Sequence, residues 1–339
     1  MLWQRPMTAM LSLWERPMAA IDDFRDRIRA AARDATPLRI RGGGSKDFYG
    51  TPATGKILDT RGHAGIVSYE PTELYVTARC GTPLAELERA LDENNQMLAF
   101  EPPHYADGTT VGGMVAAGLS GPRRVQAGPV RDFVLGVEII DGKAELMRFG
   151  GRVMKNVAGY DVSRLMCGSL GTLALITEVT LKVLPRPIAE LSLRFEMPQD
   201  RAITRMNEWA GRPLPISASA WHAGVLTVRL SAGISGIRSA REKLGGEAIP
   251  DVEAREFWQS LRDQTHAFFA GDVRRVPVPP TTPPLAVEEQ LLEWNGGLRW
   301  VRGAAHPQPA APSPVLATLQ ERIRKVFDPA GIFVPCRPR

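Results

Sequence analysis

Cysteine is scarce. Cys80, Cys167 and Cys336 are the only three, far apart and odd in number, so the chain encodes neither a disulfide framework nor a metal knuckle. A reducing, cytoplasmic compartment and no metal are expected. No apolar run is long enough to span a bilayer. The N-terminal stretch lacks the uninterrupted core and small-residue cleavage site of a secretory leader. Aromatics are 7% of the 339 residues and never interleave with a basic run, which argues against nucleic acid. The surplus of 42 Lys and Arg over 37 Asp and Glu favours anionic small molecules or an acidic partner surface. Five histidines, His63, His104, His222, His266 and His306, are scattered and unpaired. Only His104, beside a glycine-rich segment, stands as a catalytic candidate.

What the chain has is glycine. Gly42, Gly43 and Gly44 sit in L-R-I-R-G-G-G-S-K, directly after a strand signal at Leu38 to Arg41. Each glycine in ordered structure costs about 0.5–1 kcal/mol relative to alanine, so three together point to a backbone that must take positive φ or approach a ligand closely. Two phosphate signatures compete and fail. Gly50 to Lys56 has the spacing of a triphosphate loop, but Ile57 stands where Ser or Thr must ligate magnesium, and Pro52 removes an amide. The dinucleotide fingerprint lacks its third glycine. Two further glycine-rich segments follow, Gly108 to Gly121 and Lys155 to Thr172. The first runs into a helix of small residues whose opening amides could meet an anion. Three such segments in one half argue for one extended ligand.

The length suggests about two domains at roughly 150 residues each. Leu-Trp-x-Arg-Pro-Met occurs at Leu2 to Met7 and again at Leu13 to Met18, and reads as an upstream extension. Thr82-Pro83 is expected to cap a helix with Leu84, Leu87 and Leu91 on its buried face. Asp141-Gly142 marks a tight hairpin turn between Val137 to Ile140 and Lys143 to Arg148. Beyond Pro187 the order strand, helix, two-strand hairpin around His222-Ala-Gly, helix predicts a small antiparallel sheet backed by helices. A final helix carries the apolar stripe Leu316, Leu319, Ile323, Val326 and Phe327. The expected division is an extension over 1–20, a cofactor domain over 21–187, an α+β cap-like domain over 188–302, a Pro/Ala linker over 303–314, and a C-terminal helix and tail over 315–339.

R-G-G-G-S at 41–45, T-V-G-G at 110–113, K-N-V-A-G-Y-D at 155–161 and G-S-L-G-T-L-A-L-I-T-E at 168–178 together resemble the FAD-binding domain of vanillyl-alcohol oxidase type, found in flavin-dependent 2-hydroxy-acid dehydrogenases. The resemblance covers roughly residues 30 to 185. E-P-P-H-Y at 101–105, G-P-R-R at 121–124 and V-R-D-F-V-L-G at 130–136 are similar to the smaller flavin-binding subunits of bacterial glycolate oxidases. Such a subunit works beside a larger FAD-dependent catalytic subunit and an iron–sulfur subunit, passing electrons toward membrane quinone.

The resemblance implies an α+β fold: a two-subdomain FAD-binding domain, a smaller antiparallel-sheet-and-helix domain and a C-terminal helix. It implies that Gly42, Gly43, Gly44 and Ser45 bind the FAD pyrophosphate, and that Gly112 and Gly113 line the diphosphate and ribityl. Tyr160, Ser169, Gly171 and Thr172 would lie near the flavin, and the Ile176 backbone by the adenine or the ring edge. Arg41, Thr110, Gly118, Gly121 and Gly159 complete the expected set. Members that attach FAD covalently through the first loop carry histidine where this chain has Ser45, so non-covalent FAD is implied.

The chain departs from the family pattern at Leu170, Ala174, Gly118, Val334 and Cys336. It also lacks the H-G-D-G-N-x-H type stretch of related catalytic subunits. Hydride transfer from a hydroxy acid needs a base for the hydroxyl proton and a cation or metal for the carboxylate. Arg123 and Arg124 could greet such an anion or form a solvated face. The chain therefore reads as an FAD-carrying relay or assembly subunit of a glycolate-oxidising complex, peripheral on the inner membrane face through its partners. A free-standing dehydrogenase of glycolate or D-lactate and a cofactor-free assembly subunit are the alternatives.

Overall fold

A computed structural model describes residues 7–51, 54–151, 160–303 and 313–335, without the side chains of 7–17 and 160. Helix α1 (Met7–Arg33) runs unbroken through position 20. Ile21, Phe24, Ile28 and Ala31, spaced three and four apart, are buried against Leu38, Leu58, Ile332 and Phe333. Burying side chains such as Phe24 and Ile28 contributes about 1.5–3 kcal/mol each. Strands β1 (Leu38–Arg41) and β2 (Lys56–Asp59) pair in parallel beneath this helix. The C-terminal tail joins them, with the Leu38 N–H donating to Ile332 O at 2.7 Å and the Val334 N–H to Leu38 O at 3.0 Å.

The second layer follows in chain order as β3 (Ile66–Glu70), β4 (Tyr75–Arg79), α2 (Leu84–Asp92), β5 (Gln96–Met97), α3 (Val111–Ala117), α4 (Arg124–Ala127), β6 (Val134–Ile140), β7 (Leu146–Gly150), α5 (Tyr160–Met166), β8 (Leu175–Lys182) and β9 (Leu184–Pro185). Its five-stranded antiparallel sheet has the order β3-β4-β8-β6-β7. Leu84, Leu87 and Leu91 of α2 are fully buried, as their spacing predicts. Thr82 does not cap that helix. Its hydroxyl donates back to Arg79 O at 2.7 Å and accepts from the Gly65 N–H at 2.9 Å, tying the end of β4 to the loop before it. The β6–β7 hairpin forms, but its turn is wider than two residues. The Asp141 carboxylate accepts from the Lys143 and Glu145 N–H groups, both at 2.9 Å, and the positive φ falls on Ala144 at 63°.

The second half is larger in sheet than its sequence suggests. It comprises β10 (Ala189–Glu196), α6 (Gln199–Ala210), β11 (Ile216–His222), β12 (Val225–Ala232), α7 (Ile234–Leu244), β13 (Glu247–Ile249), α8 (Asp251–Arg262), β14 (Val273–Pro277), β15 (Glu289–Glu293) and β16 (Leu298–Arg302). The strands form one seven-stranded antiparallel sheet, ordered β13-β10-β12-β11-β15-β16-β14, where three strands were expected. Alternation sorts its faces. Leu226, Val228 and Leu230 of β12 pack under α6 and α7, while Ala218, Ala220 and Leu291 meet Trp258 and Leu261 of α8. Helix α9 (Pro314–Phe327) closes the chain. Its stripe is only half used: Ile323 and Phe327 pack against the five-stranded core, whereas Leu319 and Val326 are 50% and 66% exposed.

Candidate functional site

All three glycine-rich segments converge on one open cleft. Gly42, Gly43, Gly44 and Ser45 line it at the end of β1. Thr110, Gly112 and Gly113 line it at the start of α3, and Gly171 and Ile176 line it at the entry to β8. Leu38, Ile40 and Val334 add an apolar wall, so the tail whose Val334 departs from the family pattern reaches the cleft.

The glycines have two kinds of reason. A Cβ on Gly43 would lie 1.4 Å from the carbonyl oxygen of Gly108, so the first two segments interlock backbone to backbone. A Cβ on Gly112 would lie 2.6 Å from that of Cys80. The α3 amides are engaged within the protein: Val111 N–H donates to Thr82 O (2.9 Å), Gly112 N–H to Cys80 O (2.8 Å) and Gly113 N–H to the Thr110 hydroxyl (3.2 Å). The opening of α3 therefore contributes close-packed Cα atoms, and the expectation of free amides there is corrected.

The first loop is different. Among the described residues no hydrogen bond uses the main-chain N–H of Gly42, Gly43, Gly44 or Ser45. Four successive donors lining a half-buried cleft are the donor set that a pyrophosphate requires, because an amide removed from water costs about 1–3 kcal/mol unless it finds an acceptor. The residues present fit FAD. Charge is arranged accordingly. Arg39 and Arg41 share Asp47 at 2.7 and 2.9 Å, and burial lowers the Lys46 ammonium to about 8.

The remaining expected residues are placed elsewhere. Gly118, at φ 67°, ends α3 against Gly168. Gly121 lines a second cavity. Among the described residues the Ser169 hydroxyl has no hydrogen-bond partner although it is buried, and Thr172 donates to Ser169 O at 2.7 Å. Tyr160 opens α5, and Gly159 lies outside the described residues. His104 does not line the cleft; its Nε2 lies 2.7 Å from Glu88 Oε2, and its N–H donates to Asp263. Burial pushes the His63 imidazole down to about 4, leaving it neutral. Sequence reasoning missed Lys46 and the Ala116-Ala117 pair, although small residues on a helix after T-V-G-G are a legible sign of close approach.

The two arginines of G-P-R-R face inward and form no solvated surface. Arg123 is 7% exposed and reaches Glu101, Glu190 at 2.6 Å and Ser231 at 3.1 Å. Arg229 of β12 donates to Glu101 at 2.8 Å, and the Trp294 indole N–H to Gly121 O at 3.1 Å. The loop before α4 is thus clamped onto the seven-stranded sheet.

Residues 18–150 match the family described as FAD binding domain. The chain is 45% identical over 337 residues to the glycolate oxidase subunit GlcE of Escherichia coli K12, with 92% of this chain and 95% of that protein covered. It belongs to the GlcE family of glycolate oxidase subunits. More distant relatives include the glycolate oxidase subunit GlcD of Bacillus subtilis, 30% identical over 51% of this chain, and a D-lactate dehydrogenase of Archaeoglobus fulgidus, 31% identical over 56%. This GlcE-family chain spans 37% and 43% of their lengths. Alkyldihydroxyacetonephosphate synthase shares its fold, with a TM-score of 0.65 at 15% identity over 94% of this chain and 74% of that one. The expected α+β fold and the FAD-binding, oxidoreductase character of the family are borne out. Among the described residues no helix is long and apolar enough to cross a membrane.

Proposed function

We propose that this chain is the FAD-binding subunit of a glycolate-oxidising complex. It would carry electrons from the oxidation of a small 2-hydroxy acid toward an iron–sulfur partner and quinone. The observation that carries the reading is the row of amides at Gly42, Gly43, Gly44 and Ser45 that no described residue engages, in the cleft shared by the three glycine-rich segments. Those four groups would hold the FAD pyrophosphate, with Gly112 and Gly113 against the diphosphate and ribityl. Gly171, Ser169 and Thr172 would stand toward the flavin, and the Ser169 hydroxyl is a donor awaiting an acceptor. When bound, FAD supplies an acceptor that takes two electrons and can return them singly. Ser45 offers no imidazole for a covalent tie, which supports a non-covalent cofactor.

A larger FAD-dependent catalytic subunit and an iron–sulfur subunit are the proposed partners, placing the assembly on the inner face of the cytoplasmic membrane. The test is an absorption spectrum of the purified chain before and after acid precipitation. A yellow protein that releases its flavin into the acid supernatant supports the reading. A folded chain that retains no flavin after reconstitution with excess FAD and desalting overturns it.

A further inference from the structure

Among the described residues three cations line the flavin cleft, Arg39, Arg41 and Lys46, against one carboxylate, Asp47. Both arginines are tied to it: Arg39 holds one oxygen of Asp47 at 2.7 Å and Arg41 the other at 2.9 Å. Lys46 is different. No carboxylate of the described residues lies within ion-pair distance of its half-buried ammonium, which donates only to the neighbouring Ser45 hydroxyl, at a long 3.4 Å. Its other close neighbour is the Tyr105 ring, 5.6 Å away at the centre. A cation withdrawn from water without a counter-ion is costly, and this one directly follows the four amides that no described residue engages.

The groups facing Lys46 leave its charge to be met from outside the protein. Burial pushes the Tyr105 and Tyr49 phenols up, against the pull of Arg275, so both stay neutral. Asp263 attracts the ammonium from beyond ion-pair distance, but its carboxylate is held by Arg262 at 2.7 Å and accepts from the His104 N–H at 3.0 Å. The His104 ring is itself held by Glu88 at 2.7 Å. Glu293 shares the second cavity with Tyr105, accepts from the Trp300 indole N–H at 2.6 Å, and is pushed up by burial to about 7. With burial bringing Lys46 down to about 8, the free chain holds this proton weakly.

A doubly anionic diphosphate supplies the charge that the cleft lacks. An anion beside an ammonium favours the protonated form, so filling the site strengthens the lysine's hold on its proton. We infer that Lys46 is a cofactor-binding residue whose ammonium neutralises the FAD diphosphate beside the four amides of residues 42–45, and that the chain takes up FAD together with a proton. The proton comes from solvent and resides on Nζ. The amides orient the phosphates, and Lys46 is the cation not already paired. The inference rests on the FAD reading of the cleft and goes beyond it by tying cofactor affinity to one titrating side chain.

The experiment is fluorescence titration of the flavin-free full chain with FAD, with calorimetry in two buffers of different ionisation enthalpy to count protons. Wild-type affinity should fall about tenfold from about pH 7 to about pH 9, with close to one proton taken up per FAD at the upper end. Lys46→Met should bind at least about tenfold more weakly near neutrality, as follows from losing a charge-assisted contact, and lose the slope. Lys46→Arg, charged throughout, should keep the neutral affinity and also lose the slope, so it decides the matter if Lys46→Met fails to fold. Glu293→Gln should keep the slope. The phosphorus NMR resonances of bound FAD should move in Lys46→Met while its visible absorption band stays in place. A flat wild-type affinity, a slope that survives in Lys46→Arg or vanishes in Glu293→Gln, or a moved visible band with unmoved phosphorus resonances overturns the inference and leaves the FAD reading intact. A folded wild-type chain that takes up no FAD at any of these pH values overturns the FAD reading, and this inference with it.

Discussion

Arg229 of the seven-stranded sheet and Glu101 of the flavin half meet at 2.8 Å, and the Arg123 main-chain N–H donates to the same carboxylate at 2.9 Å. Both arginines are 7% exposed or less. Removing one partner of a buried pair leaves the other charge without compensation, which costs about 3–5 kcal/mol. Glu101→Gln should lose an amount at the lower end of that range in urea unfolding, because Glu190 still reaches Arg123 at 2.6 Å and Arg229 at 3.9 Å. The double variant Glu101→Gln/Arg229→Met should recover part of the loss. Strictly additive losses would remove the pair from the account of how the halves are joined.

Gly43 and Gly113 separate two roles of glycine. A Cβ at Gly43 meets a main-chain oxygen 1.4 Å away, whereas at Gly113 it meets only the Thr110 hydroxyl at 3.1 Å. Gly43→Ala should lower stability by several kcal/mol, on the order of an overpacked core, and abolish flavin binding. Gly113→Ala should keep the apo-protein's melting temperature within a few degrees while weakening FAD, because only the ligand would oppose the added methyl. Equal losses of apo-stability in the two variants would contradict this division.

Glu293 makes stability depend on pH in a definite direction. Its native pKa, raised to about 7 from 4.5 chiefly by burial, exceeds the unfolded value, so the folded chain binds the extra proton between those limits. The stabilisation is complete below about pH 4.5 and is lost as pH rises through about 7. Glu293→Gln keeps an acceptor for Trp300 and removes the titration. Wild type should therefore fall relative to the variant by on the order of 3 kcal/mol between pH 5 and pH 8. Urea midpoints that run parallel over that interval would show the carboxyl to be ionised throughout.

Much of the flavin half is written locally. The spacing of Leu84, Leu87 and Leu91 marks α2, and G-G-G-S after an alternating β1 marks the loop, because both signals lie within a few residues. The second half is less legible. V-R-R-V-P and L-R-W-V-R, which become β14 and β16, carry arginines and one tryptophan whose burial is decided by strands paired far along the chain. Asp251–Arg262 is legible in retrospect, since Ala254, Trp258 and Leu261 repeat at helical spacing on the buried face of α8. The second cavity has no local signature at all. Tyr105, Arg275, Glu293 and Trp300 come together only when the halves close. The α9 stripe misled in the opposite sense, because amphipathic spacing does not by itself say that an apolar face is covered.

The pairing of Leu38 with Phe333 has a bearing on synthesis. A strand at residue 38 must wait beside an open edge until residue 333, far along the chain, has been made. Its closure entropy is then met late, as for any fold governed by contacts distant in sequence. A nascent GlcE-family chain would accordingly present its glycine loop without the apolar wall supplied by Val334 until that segment emerges, and flavin capture would wait for it.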